Sequence, residues 1–213
     1  MNLVFPRLYA IIDPTLLAIS ELAMAEALAK SGVELIQYRS KTASSRQFFE
    51  ISQQLSSALV PRGVRFIVND RPDIALLSGA GGVHVGQEDL GVEEARAICG
   101  PDRWVGISTH SLEQLAAADR TSADYIAIGP IFPTATKKNP DPVVGTELLR
   151  EARQMTRKPL VAIGGITLAR AAEVYRAGAD SLAVIRDLVC VPNPGVRARE
   201  YLDVAASVAT RGA

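Results

Sequence analysis

"LVAIGGITLARAAEVYRAG", Leu160–Gly178, holds a whole strand–helix unit in nineteen residues. Leu160–Ile163 is continuously apolar, the pattern of a strand covered on both faces rather than one. Two glycines end the run. Thr167 then opens a helical segment as its N-cap, and Gly178 closes it where a left-handed residue costs least.

Outward from this unit the same rhythm recurs. Short apolar runs stand at "LYAII" (8–12), "ELIQYR" (34–39), "RFIVND" (65–70), "GVHVG" (82–86), "WVGIS" (104–108), "YIAIG" (125–129), "LVAIGG" (160–165) and "LAVIR" (182–186). Helical patterns separate them. "ELAMAEALAKSG" lines up Leu22, Ala25, Leu28 and Ala29 on one stripe and ends at Gly32. "SSRQFFEISQQLSSAL" has Ser44 or Ser45 as its N-cap, Ser111 opens "SLEQLAAAD", and Pro194 stands near the start of the last helix, where proline is tolerated. Eight strands alternating with eight helices in about 200 residues is the count of an α/β (β/α)8 TIM barrel. A doubly wound sheet is the rival. No Pro/Gly/Ser-rich linker interrupts the chain, so residues 1–213 are read as a single domain, without sequence repeats.

Composition narrows the function. Apolar residues make up 48% and charged residues 22%, and 23 basic residues balance 23 acidic ones. That balance lacks the basic footprint of a nucleic-acid binder. No apolar run approaches the roughly 18 residues that span a bilayer. The N-terminus has no basic segment, long apolar stretch and small-residue cleavage site in succession, so a cytoplasmic location is expected. Cys99 and Cys190 lie far apart without metal-ligand spacing and are read as reduced, structural residues. A homo-oligomer is compatible with all of this.

A barrel puts its chemistry where strands end and helices begin. The polar residues gather there: "QYRSK" after the second strand, "NDR" after the third, "GQED" after the fourth, "STH" after the fifth, "PTATKK" after the sixth and "GGI" after the seventh. Gln37, Arg39 and Lys41 alternate with Tyr38 and Ser40, so an extended segment turns two cations and an amide to one face. They suit an anion; a strand end held by surface salt bridges is the alternative. Asp70 and Asp89 end neighbouring strands, which lie roughly 4.8 Å apart. A Mg²⁺ between the two carboxylates would relieve their repulsion. Alternatively each caps a helix, or Asp70 pairs with Arg71. "GPIFPTATKKN" (129–139) crowds threonines and lysines into one loop suited to an oxyanion; a solvated lysine loop is the alternative. Gly164 and Gly165 let the backbone come close to an anion, or serve tight strand–helix packing. His84 is read as filling the barrel interior. His110, at a strand end, is a weaker candidate for ligand contact. Trp104 and the Phe48–Phe49 pair are read as core.

Taken in order, "YAIIDPTLL", "QYRSK", "VNDRPDIAL", "GVHVGQEDL", "GISTHS", "DYIAIGPIFPTATK", "VAIGGI" and "AGADSLAVI" resemble the successive motifs of the thiamine-phosphate synthase family, from about residue 8 to residue 187. The resemblance implies a (β/α)8 barrel that joins 4-amino-2-methyl-5-hydroxymethylpyrimidine pyrophosphate to a thiazole phosphate with Mg²⁺. Both partners are small molecules. It assigns Gln37, Arg39, Lys41, Asn69, Ser108 and Lys137 to the pyrimidine pyrophosphate, with Arg39, Lys41 and Lys137 catalytic. Asp70 and Asp89 become the metal ligands. Thr134, Thr136, Gly165 and the backbone of Ile185 and Arg186 face the thiazole phosphate. Tyr38, Ser40 and Ala135 complete the substrate-binding stretches. Two departures stand out: Arg186 replaces the family's usual Ser, and "TATKKNPDPVVG" replaces a "TPTK" form. The related TenI-like thiazole tautomerases share the barrel, but tend to lose the acidic pair and carry a His where this chain has Pro130. A catalytically silent sensor of thiamine phosphate and another phosphate-sugar barrel enzyme are the remaining rivals.

Overall fold

A computed structural model describes residues 5–134 and 141–209. Eight parallel strands close into a barrel in sequential order, β1 pairing with both β2 and β8. They are β1 Leu8–Ile12, β2 Leu35–Tyr38, β3 Arg65–Asn69, β4 Gly82–Val85, β5 Trp104–Thr109, β6 Tyr125–Ile128, β7 Leu160–Ile163 and β8 Ser181–Val184. Each expected strand is present, and the ends differ by two residues or fewer. The doubly wound alternative is thereby replaced by closure.

Helices surround the strands: α1 Glu21–Lys30, α2 Ser45–Leu59, α3 Pro72–Leu77, α4 Val92–Cys99, α5 Leu112–Asp119, α6 Gly145–Met155, α7 Leu168–Arg176, α8 Arg186–Val189 and α9 Pro194–Ala209. Local chemistry sets their starts. Ser44 caps α2 reciprocally with Gln47: its Oγ accepts from the Gln47 N–H at 3.3 Å, and Gln47 Oε1 accepts from the Ser44 N–H at 3.1 Å. Ser111 caps α5 by accepting from the Gln114 N–H. Thr167 precedes α7 without a side-chain cap bond; the Leu168 N–H donates instead to Asp187 Oδ2 at 2.9 Å. The expected eighth strand was too long. Its pairing stops at Val184, Ile185 turns the chain, and Arg186 begins the short α8 ahead of α9.

Alternation along each strand creates two cores. Outward residues such as Ile36, Tyr38, Val68, Val83 and Ile126 pack beneath the helices. Inward residues Tyr9, Ile11, Leu35, Ile67, Tyr125, Ala127, Val161 and Ala183 fill the barrel, with Phe5 stacked on Trp104 at 5.1 Å. Gly106 makes this interior possible. A Cβ there would stand 2.0 Å from Cζ of Tyr125, so only glycine leaves room for that ring. Among the described residues, no helix is long and apolar enough to cross a membrane. Cys99 is buried and Cys190 exposed, and neither forms a disulfide.

Candidate active site

The C-terminal ends of the strands bring three groups of side chains together. The first lies at β2 and β1. Gln37 points inward and is almost fully buried; its Nε2 donates to the Tyr9 hydroxyl at 2.6 Å. Arg39 follows on the same face, and its Nη1 donates to Asp13 Oδ2 at 2.7 Å. Asp13 is itself buried, and its Oδ1 accepts from the N–H and hydroxyl of Thr15, so Arg39 rests on a fixed carboxylate. Tyr38 takes the opposite face. It is buried against α2, stacked on Phe48 at 5.0 Å, so its side chain does not line the mouth as its place in the binding stretch suggests. Strand alternation is the reason. Ser40 Oγ accepts from the Ala43 N–H within the following turn.

The second group is acidic. Lys41 Nζ is bonded to Asp70 Oδ2, and the Asp70 carboxyl lies close enough to Asp89 to act on its ionisation. Asp89 Oδ2 also accepts from the Gly86 N–H at 2.8 Å. Burial, followed by the neighbouring Asp70 carboxyl, pushes the Asp89 carboxyl above its ordinary range. Both alternative readings of Asp70 are overturned. Arg71, not Asp70, precedes α3, and the Arg71 guanidinium pairs with Asp73 at 2.6 Å. Asp70 holds φ +60°, and is the only non-glycine residue described with a positive φ. A left-handed aspartate kept at a strand end is the kind of local strain that accompanies function. Asn69 precedes it, buried on the inward side with Ile67.

The third group surrounds the β6 and β7 ends. Gly164 and Gly165 take φ +97° and +63°. A Cβ on Gly165 would meet Pro133 O at 2.4 Å and Phe132 Cβ at 2.8 Å, so the β6 loop sits directly on this glycine and places Thr134 beside it. Arg170 of α7 stacks over Phe132 at 4.1 Å, bracing the same loop. Ala135, Thr136 and Lys137 lie outside the described residues. Arg186 is exposed at the start of α8. The Asp187 carboxylate is occupied by Arg197 at 2.9 Å and the Tyr201 hydroxyl at 2.7 Å, so it is not the partner of Arg186. His110 is held between the Gly129 carbonyl at 2.6 Å and the Asp141 carboxylate at 3.4 Å.

Across the barrel, His84 links two inward side chains: Nδ1 lies 3.0 Å from the Tyr125 hydroxyl and Nε2 lies 2.8 Å from Ser108 Oγ. The Tyr125 and Tyr9 hydroxyls are 2.9 Å apart. Gln87 Nε2 donates to the Ser108 carbonyl at 2.7 Å. Sequence reading missed Asp13, Tyr9, Tyr125 and Gln87 as parts of the site. Asp13 carries the same signal as the others, a polar residue just past a strand. The tyrosines carry none, because an apolar strand does not reveal which aromatic faces inward.

A closed parallel barrel with cations and paired carboxylates at its C-terminal mouth defines a class, a (β/α)8-barrel enzyme. Residues 8–188 match the TMP-TENI family, thiamine monophosphate synthase. The chain is 49% identical to a thiamine-phosphate synthase of Koribacter versatilis, over 95% of this chain and 97% of the relative. It is 38% identical to that of Methanospirillum hungatei, covering 92% and 96%. A solved thiamine phosphate pyrophosphorylase from Pyrococcus furiosus superposes with a TM-score of 0.86 at 33% identity, covering 95% and 96%. The chain belongs to the thiamine monophosphate synthase family and is a transferase of thiamine biosynthesis.

Proposed function

We propose that this barrel condenses 4-amino-2-methyl-5-hydroxymethylpyrimidine pyrophosphate with 4-methyl-5-(2-phosphoethyl)thiazole, or its carboxylated form, to thiamine phosphate and pyrophosphate. The observation that carries the reading is the mouth cluster of Lys41, Asp70 and Asp89 beside Arg39. Cations and anions are interleaved there, as a pyrophosphate and its metal require.

The residues fit Mg²⁺. Asp70 and Asp89 offer oxygen ligands only, and burial, followed by the neighbouring Asp70 carboxyl, raises Asp89. Among the described residues no cluster of three or more His, Cys, Asp or Glu could hold a metal alone. Two carboxylates completed by substrate oxygens and water are the usual set for this ion. When bound, Mg²⁺ supplies charge stabilisation to the pyrophosphate oxygens.

Arg39 and Lys41 bind the same pyrophosphate, and Lys137 joins them by the family resemblance. The bond from the pyrimidine methylene to the pyrophosphate oxygen breaks, and its electron pair leaves with pyrophosphate. The aminopyrimidine ring supports the resulting methylene cation. The thiazole nitrogen lone pair then forms the new C–N bond. Thr134, Gly165 and the backbone at Ile185–Arg186 hold the thiazole phosphate so that its nitrogen faces the methylene. No general base is required; positioning and charge complementarity supply the rate. Incubating the protein with both substrates and Mg²⁺ should yield thiamine phosphate and pyrophosphate in equal amounts. Release of pyrophosphate without thiamine phosphate would contradict the reading.

A further inference from the structure

Five strands contribute one continuous polar chain inside the barrel: Gln37 Nε2 to the Tyr9 hydroxyl at 2.6 Å, Tyr9 to Tyr125 at 2.9 Å, Tyr125 to His84 Nδ1 at 3.0 Å, and His84 Nε2 to Ser108 Oγ at 2.8 Å. Its two ends are the side chains assigned above to the pyrimidine. Its middle, Tyr9, Tyr125 and His84, is buried.

Each hydroxyl has one hydrogen to donate, and a neutral imidazole donates from one nitrogen and accepts at the other. The bonds must therefore all run in one direction. Gln37 donates to Tyr9, so the Tyr9 hydrogen goes to Tyr125, the Tyr125 hydrogen goes to Nδ1, and His84 carries its proton on Nε2. That proton is given to Ser108. The Ser108 hydrogen is then free to point at a ligand, and the Gln37 carbonyl oxygen is likewise left to accept from one. The opposite direction requires the Gln37 amide to be turned over and the imidazole proton to sit on Nδ1. A His84 cation would donate from both nitrogens and strand the Tyr9 hydrogen without an acceptor. Burial pushes the pKa of both tyrosine hydroxyls up, so they stay neutral donors.

We infer that His84, with Tyr9 and Tyr125, is a positioning device that presents Ser108 to the ligand as a hydrogen-bond donor and Gln37 as an acceptor, selecting a heterocycle with a ring acceptor toward Ser108 and an exocyclic N–H toward Gln37. This rests on the functional reading above and deepens it: the amino group of the pyrimidine is read by a proton order fixed elsewhere in the barrel. Gly106 belongs to the device, because an added Cβ would lie 2.4 Å from the Tyr125 hydroxyl.

The chain has two histidines, so ¹⁵N spectra of histidine-labelled protein with a His110→Gln control report His84 directly. At neutral pH His84 should be a neutral imidazole protonated at Nε2. A proton on Nδ1, or a cation, overturns the inference. Tyr125→Phe keeps the ring and removes the donor to Nδ1. In that variant His84 should populate both tautomers. The KM for the pyrimidine pyrophosphate should rise about tenfold while that for the thiazole phosphate stays within about twofold. A lowered melting temperature with both KM values unchanged, or both raised together, would mark the chain as merely structural. Calorimetric titration with the pyrimidine pyrophosphate and its deamino analogue needs no turnover. Wild type should prefer the amino compound at least tenfold and Tyr125→Phe should lose that preference; equal preference in the two proteins overturns the positioning role. Failure of wild type to make thiamine phosphate, with the preference intact, would sink the functional reading alone.

Discussion

Inside the barrel, Tyr9, Gln37, His84, Ser108 and Tyr125 bond to one another in a neutral chain that excludes solvent. At the strand ends above, Lys41 and Asp70 form an ion pair beside the Asp89 carboxyl, with the Lys41 side chain more than half exposed. The two regions draw on the same set of parallel strands and differ in what they leave unfinished. The interior chain is complete without a ligand except at its two ends. The rim is a compromise: one ammonium serves two crowded carboxylates, and a metal with a pyrophosphate would re-pair all three.

Asp70→Asn attacks the rim and should have the largest effect. Asparagine tolerates the left-handed backbone that Asp70 adopts at φ +60°, so the fold should survive. The rate should nonetheless fall on the order of a hundredfold. Steady-state kinetics beside a melting curve checks this; a parallel loss of stability and rate would blur the distinction between rim and interior.

Gly106→Ala attacks the interior instead. The new methyl would overlap the Tyr125 ring, and overpacking of this kind costs about 1–3 kcal/mol. Thermal melting should show a drop of several degrees. An unchanged melting temperature would mean that the ring has room to shift and the interior is looser than described.

Asp13→Asn tests the join between the regions. Arg39 keeps its charge but loses a buried anionic rest, a charge-assisted bond of roughly 1.5–3 kcal/mol. The KM for the pyrimidine pyrophosphate should rise about tenfold, and the melting temperature should fall by several degrees. Arg186→Ser should do least. Its side chain is exposed and its backbone starts α8, so the KM for thiazole phosphate should stay within about threefold. A tenfold rise would show the guanidinium reaching the phosphate.

The barrel was legible because eight apolar runs, each followed by polar residues and then a helical segment, leave few other arrangements. Arg39, Lys41, Asp70 and Asp89 were legible as polar residues beyond strand ends, and Gln37 as an amide within an apolar strand, in step with Arg39 and Lys41. Tyr38 shows the limit: its face follows from alternation, yet membership of a binding stretch drew it toward the mouth. The roles of Tyr9 and Tyr125 depend on which face closes inward and on a glycine three strand positions before Thr109. Such contacts between distant strands leave no local pattern. Asp187, the sequence neighbour of Arg186, is likewise held by Arg197 and Tyr201, remote in the helix that follows.

The central claim is that the carboxylates of Asp70 and Asp89 act through a metal on a departing pyrophosphate. Thiamine phosphate formation measured from both substrates across a Mg²⁺ titration, with excess EDTA as the zero point, tests it most directly. The rate should vanish in EDTA and recover in full as Mg²⁺ is restored. Undiminished turnover in excess EDTA would contradict it.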